Sequence, residues 1–270
     1  MARTKPADRI PSLIEAAVRV FATKGFRRAQ MADIAREMGV SAGLLYNYVE
    51  SKEALFYFVI DHGFSDRPSD TSQTFPVRTP APGALVKLIV ERVIKEAGPS
   101  TLLPALTRKR AENPSVELAS IVRELYANMY RTAHVTMMLD RSALDLPELA
   151  ELYFGRMRGG LVSALTRLIE SRIEAGQFRR VPYPAVTARL IVETIAWFAR
   201  NRRGDFASQE ITDDAAEETT VDFIVNSLVA TRSRPRLTRP PKPLAFPGSN
   251  KTVPHRESGQ GEHHVTRDRS

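Results

Sequence analysis

Residues 25–55, GFRRAQMADIAREMGVSAGLLYNYVESKEAL, set three short helical patterns in immediate succession, each closed by a turn signal. Few folds accommodate such a run. In MADIAREMGVS, Met31, Ile34, Ala35 and Met38 recur at helical spacing and form one apolar face. Gly39 then stops the helix, because a residue without a side chain accepts the left-handed backbone of a helix C-cap. Val40 is placed to plug the turn. Ser41 is the N-cap candidate for the next helix, AGLLYNYV, its hydroxyl accepting from amides left free at the helix start. Small or flat side chains there let a helix sit deep in a duplex groove. Ser51 repeats the N-cap signal, and Lys52 in the first turn that follows is placed to set an ammonium beside a phosphate.

Helical periodicity covers most of the remaining chain. Helices are predicted over about 11–24, 31–38 and 42–48, and from Ser51 to about Ser65. Residues 67–82, RPSDTSQTFPVRTPAP, hold four prolines among small polar residues and read as a long loop. Periodicity returns with GALVKLIVERVIKEAG and continues over about 101–112, 115–140, 147–175, 184–202 and 214–230. Asn113-Pro114, Asp145-Leu146-Pro147, Gly176 and Gly204-Asp205 separate these helices. No strand and no internal repeat is expected. Residues 231–270 are rich in Pro, Arg, Ser and Gly and poor in large apolar groups, the composition of a disordered tail.

Charge is unevenly spread along this sequence. Residues 1–55 hold 9 Lys and Arg against 6 Asp and Glu, residues 56–230 hold 21 against 22, and residues 231–270 hold 9 against 3. Basic ends around a neutral middle suit nucleic-acid contact at the ends and a body that binds something else. The absence of cysteine excludes disulfides and thiolate chemistry and is compatible with a reducing cytoplasm, the expected location. MARTKPADRIP lacks the apolar core of a signal peptide, and no apolar run approaches the ~20 residues of a membrane span, so no membrane partner is expected.

The order of residue types from IEAAVRVFATKGF through DIAREMGVSAGLLYNYVESKEAL resembles the DNA-binding domain of the TetR (tetracycline repressor) family of bacterial transcription regulators. LPELAELYFGRMRGGLVSALTRLIESRIEAGQF and the proline-started helix ending in WFARNRRGD are similar to the late helices of the same family. The resemblance implies an all-α fold: an N-terminal three-helix helix-turn-helix DNA-binding domain with its connecting helix over 8–67, a helical effector-binding and dimerisation domain over 83–230, and the basic tail 231–270.

By position in the family's motif, Ala42, Gly43, Leu44 and Asn47 face bases, Tyr46, Tyr48 and Lys52 lie at the phosphates, and Leu45 and Val49 are buried. Ala42 and Leu44 offer only contact with thymine methyls, and Asn47 suits adenine or a phosphate, so base reading looks sparse. Many members begin the second helix with paired hydroxyl residues where this chain has Ala29-Gln30, which leaves the Gln30 amide, with Arg27 and Arg28 close by, as the substitute. The arm around Arg3 and Lys5 reads as a flexible terminus.

Two late helices spread apolar residues round more than one side, Ile191, Ile195 and Phe198 on one and Ile224 and Leu228 on the other. The resemblance implies that they pair across a two-fold axis in a homodimer reading palindromic operator DNA. Tyr126, Tyr130, Ala133 and Met137 fall on one helical stripe with Met129 and His134 beside it, and Tyr153, Phe154 and Met157 add apolar surface. Tyr126, Tyr130, His134 and Met137 are thus the candidate lining of a site for a small, largely apolar effector; a plain helical core is the alternative. Gly159-Gly160 inside a helix points to close packing or a kink.

Nothing in the sequence suggests an enzyme: it has no Gly-rich phosphate loop, nucleophile elbow, His-Glu-x-x-His or paired Cys. No cofactor or metal is expected, His263-His264 in the tail lacking fixed further ligands. The expected function is a ligand-responsive repressor whose fourth helix carries effector movement to the reading heads. The alternative is an effector-independent architectural DNA-binding protein that uses its basic tail.

Overall fold

In the computed structural model the described residues are 9–63, 74–91 and 100–230. The arm around Arg3 and Lys5, residues 64–73 of the connection and the tail 231–270 with its paired histidines lie outside them. Helix α1 spans Ile10–Arg28, with Pro11 in its first turn and Leu13, Ala17, Val20 and Phe21 on its buried side. It is helical only as far as Gly25, whose φ of 76° and ψ of 169° turn the last residues away. A side chain there would also collide: an added Cβ would lie 2.6 Å from the Asp145 carboxylate.

Helices α2 (Met31–Met38), α3 (Ala42–Leu45) and α4 (Lys52–Gly63) complete the head. Gly39, at φ 70° and ψ 33°, ends α2 as its sequence predicts. Its N–H donates to Arg36 O at 3.1 Å and that of Val40 to Ala35 O at 2.9 Å, so the last carbonyls of α2 are satisfied. Ser51 caps α4, its Oγ accepting from Ala54 N at 3.0 Å. Ser41 makes no side-chain cap bond, and α3 is a single turn followed by non-helical turns, shorter than the predicted 42–48.

The body contains α5 (Ala84–Ile89), α6 (Leu102–Thr107), α7 (Pro114–Arg131), α8 (Ala133–Ala143), α9 (Pro147–Ala150), α10 (Gly159–Glu174), α11 (Pro184–Ala199) and α12 (Asp213–Leu228), with a π-helical stretch Glu151–Arg158 running into α10. The predicted single helix 115–140 is two. Thr132 Oγ1 donates to Asn128 O at 2.8 Å and Thr136 Oγ1 to Thr132 O at 2.9 Å, back-bonds that bend a helix, and Thr132 leaves the helical region with ψ 11°. The glycines at 159–160 do not mark close packing: an added Cβ meets only Phe154 O at 3.6 Å at the first and nothing at the second.

Two apolar cores result. One joins Leu13, Phe21, Ile34, Leu45, Val49 and Leu55 of the head to Val135, Met138 and Leu139 of α8. The other gathers Leu118, Ile121, Leu165, Leu168, Ile195 and Ile224 of α7, α10, α11 and α12. Helix α8 therefore packs along α1 and belongs to the core of the head, although it follows α7 directly in the chain. Arg172 of α10 is fully buried and pins the second core. Its guanidinium donates to Glu117 at 2.7 and 3.0 Å and to the carbonyls of Arg108 and Ala105 at 2.9 Å each.

Candidate nucleic-acid interface and effector cleft

The head presents the turn between α2 and α3 outward. Gln30, Ser41, Gly43 and Asn47 are exposed, Ala42 and Leu44 are half-buried, and Tyr46 is 51% exposed. Leu45 and Val49 are buried, as required for that display. Asp33 organises the entry to α2. Its carboxylate accepts from Lys24 Nζ at 2.7 Å and from Gln30 N at 3.1 Å, and the Lys24 hydrogen bond, working against desolvation, holds its pKa below the ordinary 3.8. Arg27 and Arg28 stand exposed beside this entry.

Two residues assigned to the phosphates turn inward instead. Tyr48 is only 3% exposed, its ring edge-on to Phe75 at 5.9 Å, while its carbonyl accepts from Val77 N at 2.8 Å. Val77 O in turn accepts from Glu50 N at 3.0 Å, so residues 75–79 strap the end of the reading unit. That strap lies in the predicted loop, and its pairing with Val49 has no local sequence signal. Lys52 Nζ donates to the carbonyls of Phe26, Arg27 and Ala29 at 2.9, 3.3 and 3.1 Å and sits 4.6 Å from the Phe26 ring centroid. Its three donors are thereby filled, and the lysine ties the start of α4 to the end of α1.

A cleft of about 360 Å³ opens in the body. Met129, Thr132 and Thr136 line it from α7 and α8, Leu102 and Leu103 from α6, and Val192, Ala196 and Arg200 from the α11 region. Tyr153, Met157, Arg158 and Leu161 complete the far wall. None of Tyr126, Tyr130, His134 and Met137 borders it. Tyr126 is buried on the other side of α7, its hydroxyl donating to Phe198 O at 3.3 Å, and burial raises its pKa. Tyr130 donates to Asp213 Oδ2 at 2.7 Å beneath the Arg203 guanidinium. That hydrogen bond raises the phenol and lowers the carboxyl. His134 and Met137 are exposed beside α1, along a separate groove with Val18 and Glu37. The stripe is one residue out: 125, 129, 132 and 136 face the cleft where 126, 130, 133 and 137 were expected. Thr132 and Thr136 hid the true stripe, because hydroxyls do not register in an apolar pattern.

The residues expected at a subunit interface are likewise inside the protomer. Ile191, Ile195, Ile224 and Leu228 are buried, and Phe198 is half-buried against the second core. The apolar surface that α11 does expose consists of Val186 at 56%, Leu190 at 62% and Trp197, with Phe223 on α12. Among the described residues no helix is long and apolar enough to cross a membrane, and no cluster of three potential metal ligands occurs.

Residues 13–57 match the family described as bacterial regulatory proteins, tetR family, and the N-terminal domain accordingly belongs to that family of DNA-binding regulators, which are not enzymes. No curated protein matches the chain. Solved structures similar to it include a TetR-like transcriptional regulator from Rhodococcus sp. RHA1, 22% identical over 82% of this chain and 96% of that one, with a TM-score of 0.45. A TetR-family transcriptional regulator from Mesorhizobium loti is 17% identical over 84% of this chain and 100% of that one, at 0.43. The transcriptional regulator FadR from Bacillus subtilis, solved with stearoyl-CoA, is 17% identical over 80% and 98%, at 0.42.

Proposed function

From a TetR-family domain at the N-terminus, we propose that the chain is a cytoplasmic, ligand-responsive repressor that binds a palindromic operator as a homodimer and releases it when a small, largely apolar molecule enters the cleft. The observation that carries this reading is the double role of α8. Val135, Met138 and Leu139 are core residues of the head, while Thr136 of the same helix lines the cleft. A ligand that displaces α8 thus acts directly on α1, without relying on α4. Ligand and DNA then oppose each other thermodynamically. Gln30, Ala42, Gly43, Leu44, Tyr46 and Asn47 are the proposed duplex contacts, with Arg27 and Arg28 at the phosphates.

Apolar groups exposed on α11 and α12 support a second copy as their cover, since two reading heads on one rigid dimer double the site that short helices can read. Light scattering at micromolar concentration tests the assembly. The wild type is expected to be a dimer, Leu190→Glu a folded monomer, and Ile195→Glu unfolded. Selection from random duplexes is expected to return half-sites about one turn, ~34 Å, apart. A monomeric wild type, or enrichment of no sequence at all, overturns the reading in favour of sequence-independent coating.

A further inference from the structure

Every charged residue among the described lining of the cleft is an arginine: Arg156, Arg158 and Arg200, with no carboxylate on the same wall. Around them the lining is apolar, chiefly Leu102, Leu125, Met129, Met157 and Leu161. Two of the three guanidiniums converge on one acid set behind them. Arg158 Nη2 lies 3.1 Å from Asp140 Oδ1, and Arg200 Nη1 lies 2.6 Å from Asp140 Oδ2. Arg200 also reaches the Tyr153 hydroxyl at 3.4 Å. Burial pushes that phenol up to about 12, so it stays neutral and adds no negative charge. Among the described residues Arg156 pairs with Glu151 at the surface.

We propose that the effector is an amphiphile, an apolar body with one anionic head, and that the head takes Arg158 and Arg200 in exchange for Asp140. The inference rests on the cleft being the effector site and adds its ligand class. A guanidinium carries five N–H donors in a planar fork, so one carboxylate shared between two guanidiniums leaves donors free for a second anion. Desolvated charge repels a cationic ligand and gains little from a neutral one. Carboxylate and phosphate heads share the chemistry that this fork recognises.

Asp140 also connects the exchange to the head. It lies four residues beyond Thr136 on α8 and so shares the face that lines the cleft, whereas Val135, Met138 and Leu139 are buried in the core that α8 shares with α1. When the anion takes its partners, Asp140 loses both ion pairs that fasten α8 to the π-helical stretch and to the end of α11.

Calorimetric titration of the full chain with decanoate, decyl phosphate, decanol and decylamine tests the proposal. The anionic probes are expected to bind at least tenfold more tightly than decanol, with decylamine weakest, and the two anions distinguish a carboxylate from a phosphate preference. Arg200→Gln is expected to erase the anion preference and Arg200→Lys to retain part of it. Arg158→Gln carries the same test should the first variant fail to fold. Asp140→Asn is expected to raise anion affinity several-fold, because the arginines are no longer engaged. Gly160→Trp, at a lining position where an added Cβ meets nothing within 4 Å, is expected to abolish binding of every probe. If decanol matches decanoate and Gly160→Trp still abolishes both, the anionic head is refuted while the cleft reading stands. Unchanged anion affinity in Asp140→Asn refutes the exchange. Failure of all four probes, or binding indifferent to Gly160→Trp, overturns the cleft reading and the inference together.

Discussion

The head at residues 9–63 and the body at residues 100–230 are made of the same material, amphipathic helices joined by short turns, yet they differ in what sets their geometry. In the helix-turn-helix part of the head the contacts that set its geometry are closer in sequence: Gly39 turns α2 into α3, Ser51 caps α4, and Lys52 reaches back 26 residues to the end of α1. In the body, the decisive contacts span long stretches of chain. Glu117 meets Arg172, Asp140 meets Arg200, and Tyr126 meets Phe198. A short-range architecture leaves its signature in local spacing. A long-range one leaves only a choice among several apolar faces.

The largest expected effect breaks the body without touching the head. Arg172→Met leaves Glu117 largely stranded, with only the exposed Arg108 guanidinium 3.3 Å away among the described residues, and is expected to cost about 3–5 kcal/mol, lowering the melting temperature by roughly 10 °C. Adding Glu117→Leu removes the stranded charge and is expected to restore most of that loss. Differential scanning calorimetry of the single and double variants decides it. A single variant that melts with the wild type means that the buried pair does not hold α7 to α10.

A smaller effect is expected where the two regions meet. Gly25 combines a glycine-only backbone with the approach of Asp145, whose carboxylate also accepts from Arg27 N at 3.1 Å. Gly25→Ala is expected to destabilise by about 1–3 kcal/mol. Asp145→Ala in the same chain relieves the collision but not the backbone strain, so chemical denaturation is expected to show partial recovery. Full recovery would locate the whole penalty in the collision.

The smallest effect sharpens the reading of the head itself. Lys52→Met is expected to cost about 1.5 kcal/mol of stability while leaving the slope of log affinity against log salt unchanged, because its ammonium faces backbone carbonyls. Arg27→Gln is expected to do the reverse, with little change in melting and a slope lower by about one unit. A lower slope in Lys52→Met would show that the ammonium leaves its carbonyls for a phosphate when DNA binds.

Legibility follows the same division. The glycine stop at 39 and the N-cap at Ser51 were readable, since each rests on a residue and its near neighbours, while burial of Leu45 and Val49 followed from the resemblance to the family's motif. The inward turn of Tyr48 was not readable, because the strap that covers it arrives from Phe75 and Val77, in the segment between α4 and α5. For the subunit face, Ile195 and Leu190 are equally apolar in sequence, and only packing decides that one is 0% and the other 62% exposed.

Spacing, glycine and proline placement and cap residues determined that this protein is all-α and begins with a helix-turn-helix, because backbone preferences and one-sided burial act within a few residues. Tertiary structure alone decided which helical face became core, cleft or surface. Rotating a helix by one residue, about 100°, exchanges one apolar stripe for another at little local cost, and the choice falls to partners distant in the chain. Thr132 and Thr136 meet the cleft, Asp140 meets two arginines and α8 joins the head for that reason.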